Sequence, residues 1–185
     1  LILSRILAGE TCAVVSDAGM PCISDPGEDL VRLCASHGVP VTVIPGPSAA
    51  VSALSVSGLV TSRFTFEGFL STNKASRAKH LASLQSERRT MIFYEAPHKL
   101  LSTLSDLEGT FGADRPLSVC RELTKIHEEI LRTTIGGART YFTQTVPKGE
   151  FVLIVSGKEE EDAPQLPLEE VCRIGREMVA SGMRA

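Results

Sequence analysis

The sequence predicts an α/β protein with two α/β domains, a parallel-sheet N-terminal domain and a mixed-sheet C-terminal domain. Residues Cys12–Val15 form a short continuous apolar run, which is typical of a buried parallel strand. A loop, a helix and a second apolar run at Val41–Ile44 follow, and this strand–helix–strand order is that of a parallel α/β sheet. Beyond Arg63 the predicted strands become more frequent, which indicates a mixed sheet.

Residues 1–62 are assigned to the N-terminal domain, which is organised around a glycine-containing loop. Leu1–Leu7 has the pattern of the end of an amphipathic helix whose beginning we expect to lie outside this chain. The loop at 16–27 holds two Gly, two Pro and two Asp, so its backbone can approach a ligand closely. Helices are predicted over Glu28–His37 and, after a possible N-cap at Ser48, over 49–57. Ligands of open α/β sheets bind beyond the carboxyl ends of strands, so this loop is the first candidate site.

Residues 63–157 are assigned to the C-terminal domain, and residues 158–185 to an acidic linker and the start of a helical extension. In the C-terminal domain, periodicity predicts strands at 64–69, 91–94, 117–121, 128–134 and 151–155, and helices at 75–86, 97–109 and 137–145. In the extension, a short amphipathic helix is predicted at 168–183.

Composition places the chain among ordinary soluble globular proteins. Of its 185 residues, 43% are hydrophobic and 22% charged, and no apolar run approaches the ~20 residues of a membrane span. The five cysteines are an odd number without CxxC spacing, so we expect no metal site, no disulfide framework and a cytoplasmic location. Residues 63–99 carry seven Lys/Arg against three acids, which suggests a polyanionic partner or, equally, a solvated helix face.

Local sequence patterns exclude some classes of reaction but do not identify one. Asp17 and Asp25 either hold ribose hydroxyls or an amino group of a ligand, or cap backbone N–H groups in turns. No GxGxxG, P-loop or GxSxG pattern is present, so a phosphate cradle and a catalytic triad are disfavoured. His98 and His127 are both candidate general bases. The polar run 121–125 directly follows a predicted strand, a position that favours a functional site.

Seven short motifs occur in one order along residues 14–157. They are Ser16-Asp17-Ala18-Gly19-x-Pro21, Ile23-Ser24-Asp25-Pro26-Gly27, Pro45-Gly46-Pro47-Ser48-Ala49, Phe66-Glu67-Gly68-Phe69, Tyr94-Glu95-x-Pro97-His98, Arg121-Glu122-Leu123-Thr124-Lys125-x-His127-Glu128 and Lys148-Gly149-Glu150. Together they resemble the tetrapyrrole methylase superfamily, and specifically its ribosomal RNA small-subunit methyltransferase I branch.

The resemblance implies a homodimeric, S-adenosylmethionine-dependent 2′-O-ribose methyltransferase that acts on a cytidine of small-subunit ribosomal RNA and requires no metal. The positions it implies for cofactor binding are Asp17, Ala18, Gly19, Ile23, Ser48, Ala49, Phe69, Tyr94, Glu95, Gly149 and Glu150. Resemblance and chemistry together place Glu122, Lys125 and His127 at the acceptor hydroxyl. The residues expected to hold RNA are Lys74, Arg77, Lys79 and Arg121.

Departures from the family pattern leave two alternatives open. The family's first segment, with its Thr-Pro-Ile-Gly-Asn loop and Glu-Asp-Thr-Arg motif, is absent, so we expect the N-terminal domain to be incomplete and the chain as given to be partial or inactive. Ser71-Thr72-Asn73 stands where the family usually has Pro-Arg-Lys. The expected binding of RNA is weaker because these residues carry no positive charge. The alternatives are a methyltransferase for a corrin or other tetrapyrrole precursor and a non-catalytic cofactor-binding or dimerisation module.

Overall fold

The computed structural model describes residues 1–159 together with residues 173 and 177. In chain order, the described elements are α1 (Ile2–Leu7), α2 (Glu28–Ser36), α3 (Ala49–Val56), β1 (Phe64–Phe69), α4 (Lys74–Ser83), β2 (Thr90–Glu95), α5 (Leu100–Phe111), β3 (Pro116–Arg121), β4 (Glu129–Thr134), α6 (Ile135–Gln144) and β5 (Phe151–Val155). The helix predicted at 168–183 and most of the acidic linker lie outside the described residues.

The five strands form one mixed sheet in the order β1-β2-β5-β3-β4. Strand β1 pairs with β2 in parallel, whereas β5 pairs antiparallel with both β2 and β3. All five residues of β5 are buried, as expected for a central strand covered on both faces. The α/β class and the mixed sheet predicted from the sequence are confirmed, while the division into two domains stays a prediction.

Side chains alternate between the two faces of the sheet, and each face has its own apolar core. On one face, Met91 and Phe93 of β2 pack with Leu104 of α5 and with leucine and aromatic side chains of α4 and α6. On the other face, Ile92 packs with Ala53 and the other small apolar residues of α3. The small side chains of α3 therefore bring its backbone close to the sheet.

Two predicted strands are not formed, and those two predictions are wrong. Residues 12–15 and 41–44 belong to no strand, and Val15 and Ile44 are 84% and 87% exposed. An apolar run becomes a strand only where a neighbouring strand satisfies its N–H and C=O groups. The sheet of the described residues ends at β1 and β4, so neither segment is paired with it.

The chain after β5 is fixed by a close backbone crossing at Gly157. A Cβ atom built there would overlap the carbonyl oxygen of Arg88 and would lie 2.8 Å from that of Arg89. The crossing cannot open easily, because Lys158 N–H donates to the Glu87 carbonyl at 2.6 Å.

We therefore predict that Gly157→Ala lowers the free energy of unfolding by about 1–3 kcal/mol, the usual cost of forcing extra volume into a packed site. Urea denaturation measures the change. Gly109→Ala is the matched control, since a Cβ at that position in α5 meets nothing within 4 Å, and it should be neutral or slightly stabilising. Equal unfolding midpoints for Gly157→Ala and the wild type would contradict the prediction.

Candidate functional site

The predicted site residues gather along one edge of the sheet. The strand register pairs Phe69 with Tyr94, Glu95 with Phe151, and Phe151 with Arg121. The carboxyl ends of β1, β2 and β3 therefore lie at the same edge, with the start of β5 between β2 and β3, and adjacent strands in a sheet are about 4.8 Å apart. This edge is where open α/β sheets bind ligands.

Tyr94 is the centre of the first half of the site, on the face covered by α3. Its hydroxyl oxygen accepts a hydrogen bond from the backbone N–H of Ala50 at 3.1 Å. The rings of Phe66 and Phe69 meet it edge-on at centroid distances of 5.1 and 5.5 Å. Burial raises the pKa of Tyr94, while the Ala50 N–H acts in the opposite direction. Tyr94 thus joins the first turn of α3 to the ends of β1 and β2.

A bulge in β1 brings the glycine-containing loop to this tyrosine. The register between β1 and β2 shifts between Phe66 and Gly68, and Gly68 has a φ of 61°, which disfavours other residues. A Cβ built at Gly68 would lie 3.3 Å from Ser24 Oγ, so loop 16–27 lies directly against β1. The same loop contacts the segment before α3, because Gly46 N–H donates to Met20 Sδ at 3.2 Å.

The cofactor positions predicted on the N-terminal side follow this arrangement. Asp17, Ala18, Gly19 and Ile23 are exposed on loop 16–27, and a Cβ built at Gly19 would lie 3.2 Å from the Pro47 carbonyl oxygen. Ser48 is the N-cap residue of α3, although its side chain makes no cap hydrogen bond, and Ala49 is the first helical residue. The structure therefore brings both loops to the side of the sheet where Tyr94 lies.

Glu95 lies on the opposite face from its neighbour Tyr94. Its side chain is only 4% exposed, and its two oxygens accept from the Ala96 N–H at 2.8 Å and from the Thr103 hydroxyl. Both oxygens therefore accept hydrogen bonds from protein groups. Glu95 thus stabilises the end of β2 on the face of the sheet opposite α3.

A charged cluster of Glu122, Lys125 and Glu150 forms the second half of the site. Lys125 Nζ lies 3.0 Å from both Glu122 Oε1 and Glu150 Oε2, and Glu122 Oε1 also accepts from the Glu150 N–H at 2.8 Å. The Glu150 N–H, followed by Lys125, lowers the pKa of Glu122. The two carboxylates, Glu122 first, raise the pKa of Lys125. The cluster therefore holds the Lys125 ammonium between two carboxylates.

The Lys148-Gly149-Glu150 turn is shaped to support this cluster. Gly149 has a φ of 85°, and a Cβ built on it would lie 2.6 Å from Glu122 Oε1. Glu122 itself has a φ of 49°, an uncommon backbone state for a residue other than glycine. Strain of this kind is kept where the surrounding contacts enforce it, and such residues concentrate at functional sites.

Arg121 and His127 flank Glu122 and Lys125 in the sequence, but they lie in different environments. The Arg121 guanidinium donates to the Lys148 carbonyl at 2.6 Å and to Glu129 at 3.3 Å, and it lies 6.0 Å from the centroid of the Phe151 ring. His127 is exposed, next to Ile126, which is 97% exposed. Arg121 is thus held on the sheet, whereas His127 projects with the loop.

The cations predicted to bind RNA lie on or near the first turns of α4, except for Arg121. Lys74 and Lys79 are exposed, but the Arg77 side chain is only 12% exposed. Its guanidinium donates to Asp106 at 2.5 Å and to Thr103 Oγ1 at 2.8 Å. Thr103 and Asp106, which the sequence did not single out, are on α5. Only the packing of α5 against β2 and α4 reveals their contacts.

The described part of the chain holds neither a membrane-spanning helix nor a cluster of metal ligands. Residues 1–159 with 173 and 177 include no helix with the length and apolarity needed to cross a bilayer. They also hold no group of three or more His, Cys, Asp or Glu side chains arranged for a metal ion.

Comparison with known proteins gives one consistent family. The model of the tetrapyrrole (corrin/porphyrin) methylases matches residues 1–138. A protein of Synechocystis named ribosomal RNA small subunit methyltransferase I is 48% identical over 98% of this chain, and a Thermotoga maritima protein of the same name is 46% identical over 85%. The chain spans 65% and 70% of the length of these two curated relatives.

Solved structures show the same fold at much lower identity. The methyltransferase CobJ superposes with a TM-score of 0.62 at 19% identity, covering 84% of this chain and 68% of that one. Uroporphyrin-III C-methyltransferase of Thermus thermophilus, solved with S-adenosyl homocysteine, gives a TM-score of 0.52 at 16% identity, covering 85% and 70%.

The charged cluster predicts an unusual titration of Glu122. Lys125→Met removes one donor and one positive charge, so the pKa of Glu122 should rise towards its ordinary value, remaining below it because the Glu150 N–H still donates. Carboxyl-carbon NMR across a pH titration measures this shift. Lys79→Met, which removes an exposed cation of α4, is the control and should leave Glu122 unchanged.

The lowered pKa of Glu122 also determines how the free energy of unfolding depends on pH. A carboxyl whose pKa is lower in the folded state stabilises the protein above its unfolded pKa, and this stabilisation is lost as the pH falls through the folded value. Lys125→Met should therefore reduce the acid dependence of unfolding below the ordinary pKa of glutamate. An unchanged Glu122 titration in Lys125→Met would contradict the assigned ion pair.

Proposed function

The chain belongs to the tetrapyrrole (corrin/porphyrin) methylase family, and on that premise we propose that it forms part of an S-adenosylmethionine-dependent methyltransferase of small-subunit ribosomal RNA. The acceptor is the 2′-hydroxyl of a cytidine ribose. The surface formed by Phe66, Phe69 and Tyr94 beside loop 16–27 is called the Tyr94 cleft. The observation that carries this proposal is the single sheet edge on which the Tyr94 cleft and the Lys125 cluster both lie, because methyl transfer requires a donor and an acceptor site side by side.

The residues around Tyr94 fit a nucleoside bearing an amino-acid tail. Phe66, Phe69 and Tyr94 offer aromatic surface, and loop 16–27 lies against the same strand at Gly68. We assign the following residues to the cofactor: Asp17, Ala18, Gly19, Ile23, Ser48, Ala49, Phe69 and Tyr94. Gly149 and Glu150, in the turn before β5, complete the site. When bound, S-adenosylmethionine supplies a methyl group activated by its sulfonium.

On the acceptor side, the three predicted residues take different roles. Lys125 is held as a cation by Glu122 and Glu150, so it is suited to stabilise negative charge on the attacking ribose oxygen. Glu122 positions Lys125, and its lowered pKa makes it a weak base. We assign the proton-accepting role to His127, since imidazole commonly acts as a general base near neutral pH.

The RNA backbone is proposed to bind along α4 and the neighbouring sheet edge. Lys74 and Lys79 expose ammonium groups on α4, and Arg121 lies beside the charged cluster. A groove of about 910 Å³ runs between α4 and α5, with Lys74 and Lys99 among its lining residues. Contacts between such cations and phosphates release counterions, so binding should weaken steeply as salt is added.

We further propose that the protein is a cytoplasmic homodimer. Residues 1–62 expose several apolar side chains, among them Val15, Ile44 and Val51. Apolar surface of this kind in one region commonly marks an interface with another protein.

Calorimetry with S-adenosyl homocysteine tests the cofactor assignment. The natural full-length protein should bind it, and Tyr94→Ala should weaken binding at least tenfold, because the substitution removes both the aromatic surface and the partner of the Ala50 N–H. Absence of binding by the full-length protein would rule out both methyltransferase assignments and the cofactor-binding module, and would leave only a dimerisation module.

Methyl transfer to small ribosomal subunits that lack the modification tests the substrate. Lys125→Ala should lower the rate at least a hundredfold, as loss of a charge-stabilising group typically does. Arg139→Ala, which breaks a partly buried ion pair with Glu108 between α6 and α5, should leave the rate unchanged. Transfer to a tetrapyrrole precursor but not to the subunits would favour the corrin-type alternative.

A further inference from the structure

A continuous hydrogen-bonded chain runs from α4 through α5 to the end of β2. The Arg77 guanidinium donates to Thr103 Oγ1 at 2.8 Å, and the Thr103 hydroxyl donates to Glu95 Oε2. The other Glu95 oxygen accepts from the Ala96 N–H at 2.8 Å. Three elements that are separate in sequence are therefore joined directly behind Tyr94.

The direction of every bond in this chain is fixed by chemistry. A guanidinium can only donate, so Thr103 Oγ1 must accept from Arg77. A peptide N–H can also only donate, so the Glu95 carboxylate must accept from Ala96. The single hydroxyl proton of Thr103 is then available only for Glu95. Replacing any member leaves a buried polar group without its partner.

Burial makes the chain energetically significant. Thr103 is 1% exposed and Glu95 is 4% exposed, so water cannot easily replace a missing partner. Leaving a buried polar group unsatisfied destabilises the structure around it. The loss of stability affects the last residues of β2, where Tyr94 contacts Ala50, Phe66 and Phe69.

We infer that Arg77 and Thr103 are positioning residues of the cofactor cleft, which they influence through Glu95, and that Arg77 is not a phosphate contact. This inference rests on the proposed function. Asp106 accepts from the Arg77 Nε at 2.5 Å, so the guanidinium is held by two protein groups on α5. On the same helix, Lys79 is exposed and retains the role of an RNA contact.

Variants of Thr103 separate the hydroxyl from the shape of the side chain. In the natural full-length protein, Thr103→Val keeps the volume but removes the hydroxyl, and it should raise the Kd for S-adenosyl homocysteine about tenfold, which corresponds to about 1.4 kcal/mol. Thr103→Ser keeps the hydroxyl and should stay within about twofold of the wild type. Equal affinities for the valine variant and the wild type would overturn the inference.

Variants of α4 separate positioning from RNA contact. Arg77→Met should weaken S-adenosyl homocysteine binding while leaving the salt dependence of small-subunit rRNA binding unchanged. Lys79→Met should do the reverse and reduce the salt slope by about one phosphate contact. A reduced salt slope in Arg77→Met with unchanged cofactor affinity would overturn the inference and restore Arg77 as an RNA contact.

A spectroscopic measurement covers the case in which Thr103→Val is too unstable to assay. The ring-carbon NMR signal of Tyr94, identified by its loss in Tyr94→Phe, should move in Arg77→Met and stay in Lys79→Met. If it is unmoved in both, the inference is wrong. If the wild type binds no S-adenosyl homocysteine at all, the proposed function fails, and the Tyr94 signal still tests the hydrogen-bonded chain.

Discussion

The antiparallel pairing of β5 with both β2 and β3 is the constraint on which the rest of the structure depends. It aligns the carboxyl ends of β2 and β3 at one edge, with Phe151 between Glu95 and Arg121. The Tyr94 cleft and the Lys125 cluster are therefore neighbours because of strand register, not because of sequence proximity. Glu150, one residue before β5, belongs to the charged cluster directly.

Within the charged cluster, ionisation and backbone geometry support each other. The positive φ of Glu122 turns its carboxylate towards the Glu150 N–H, and the glycine at 149 leaves the space that this carboxylate occupies. Lys125 then gains two anionic partners at once. The raised pKa of Lys125 favours its ammonium form, which suits a group that stabilises charge more than one that moves protons.

Much of the architecture could be predicted from the sequence, because periodicity and turn residues are local signals. The strand at 151–155 and the helix starting at Ala49 have the predicted positions, whereas the strands predicted at 12–15 and 41–44 failed because pairing is a non-local property. The motifs identified the family and the candidate residues. They could not show that Thr103 joins Glu95 to Arg77, since that contact depends on how α4 and α5 pack on the sheet.

The position of β5 also has a consequence for how the molecule is assembled. It is the central strand of the sheet but the last of the five in the chain, so β2 and β3 have no common neighbour until residues 151–155 have been synthesised. Such late, non-local closure slows folding and leaves two strand edges open in the nascent chain. A ribosome stalled before β5 emerges would therefore hold a chain that is prone to aggregate and has no assembled site.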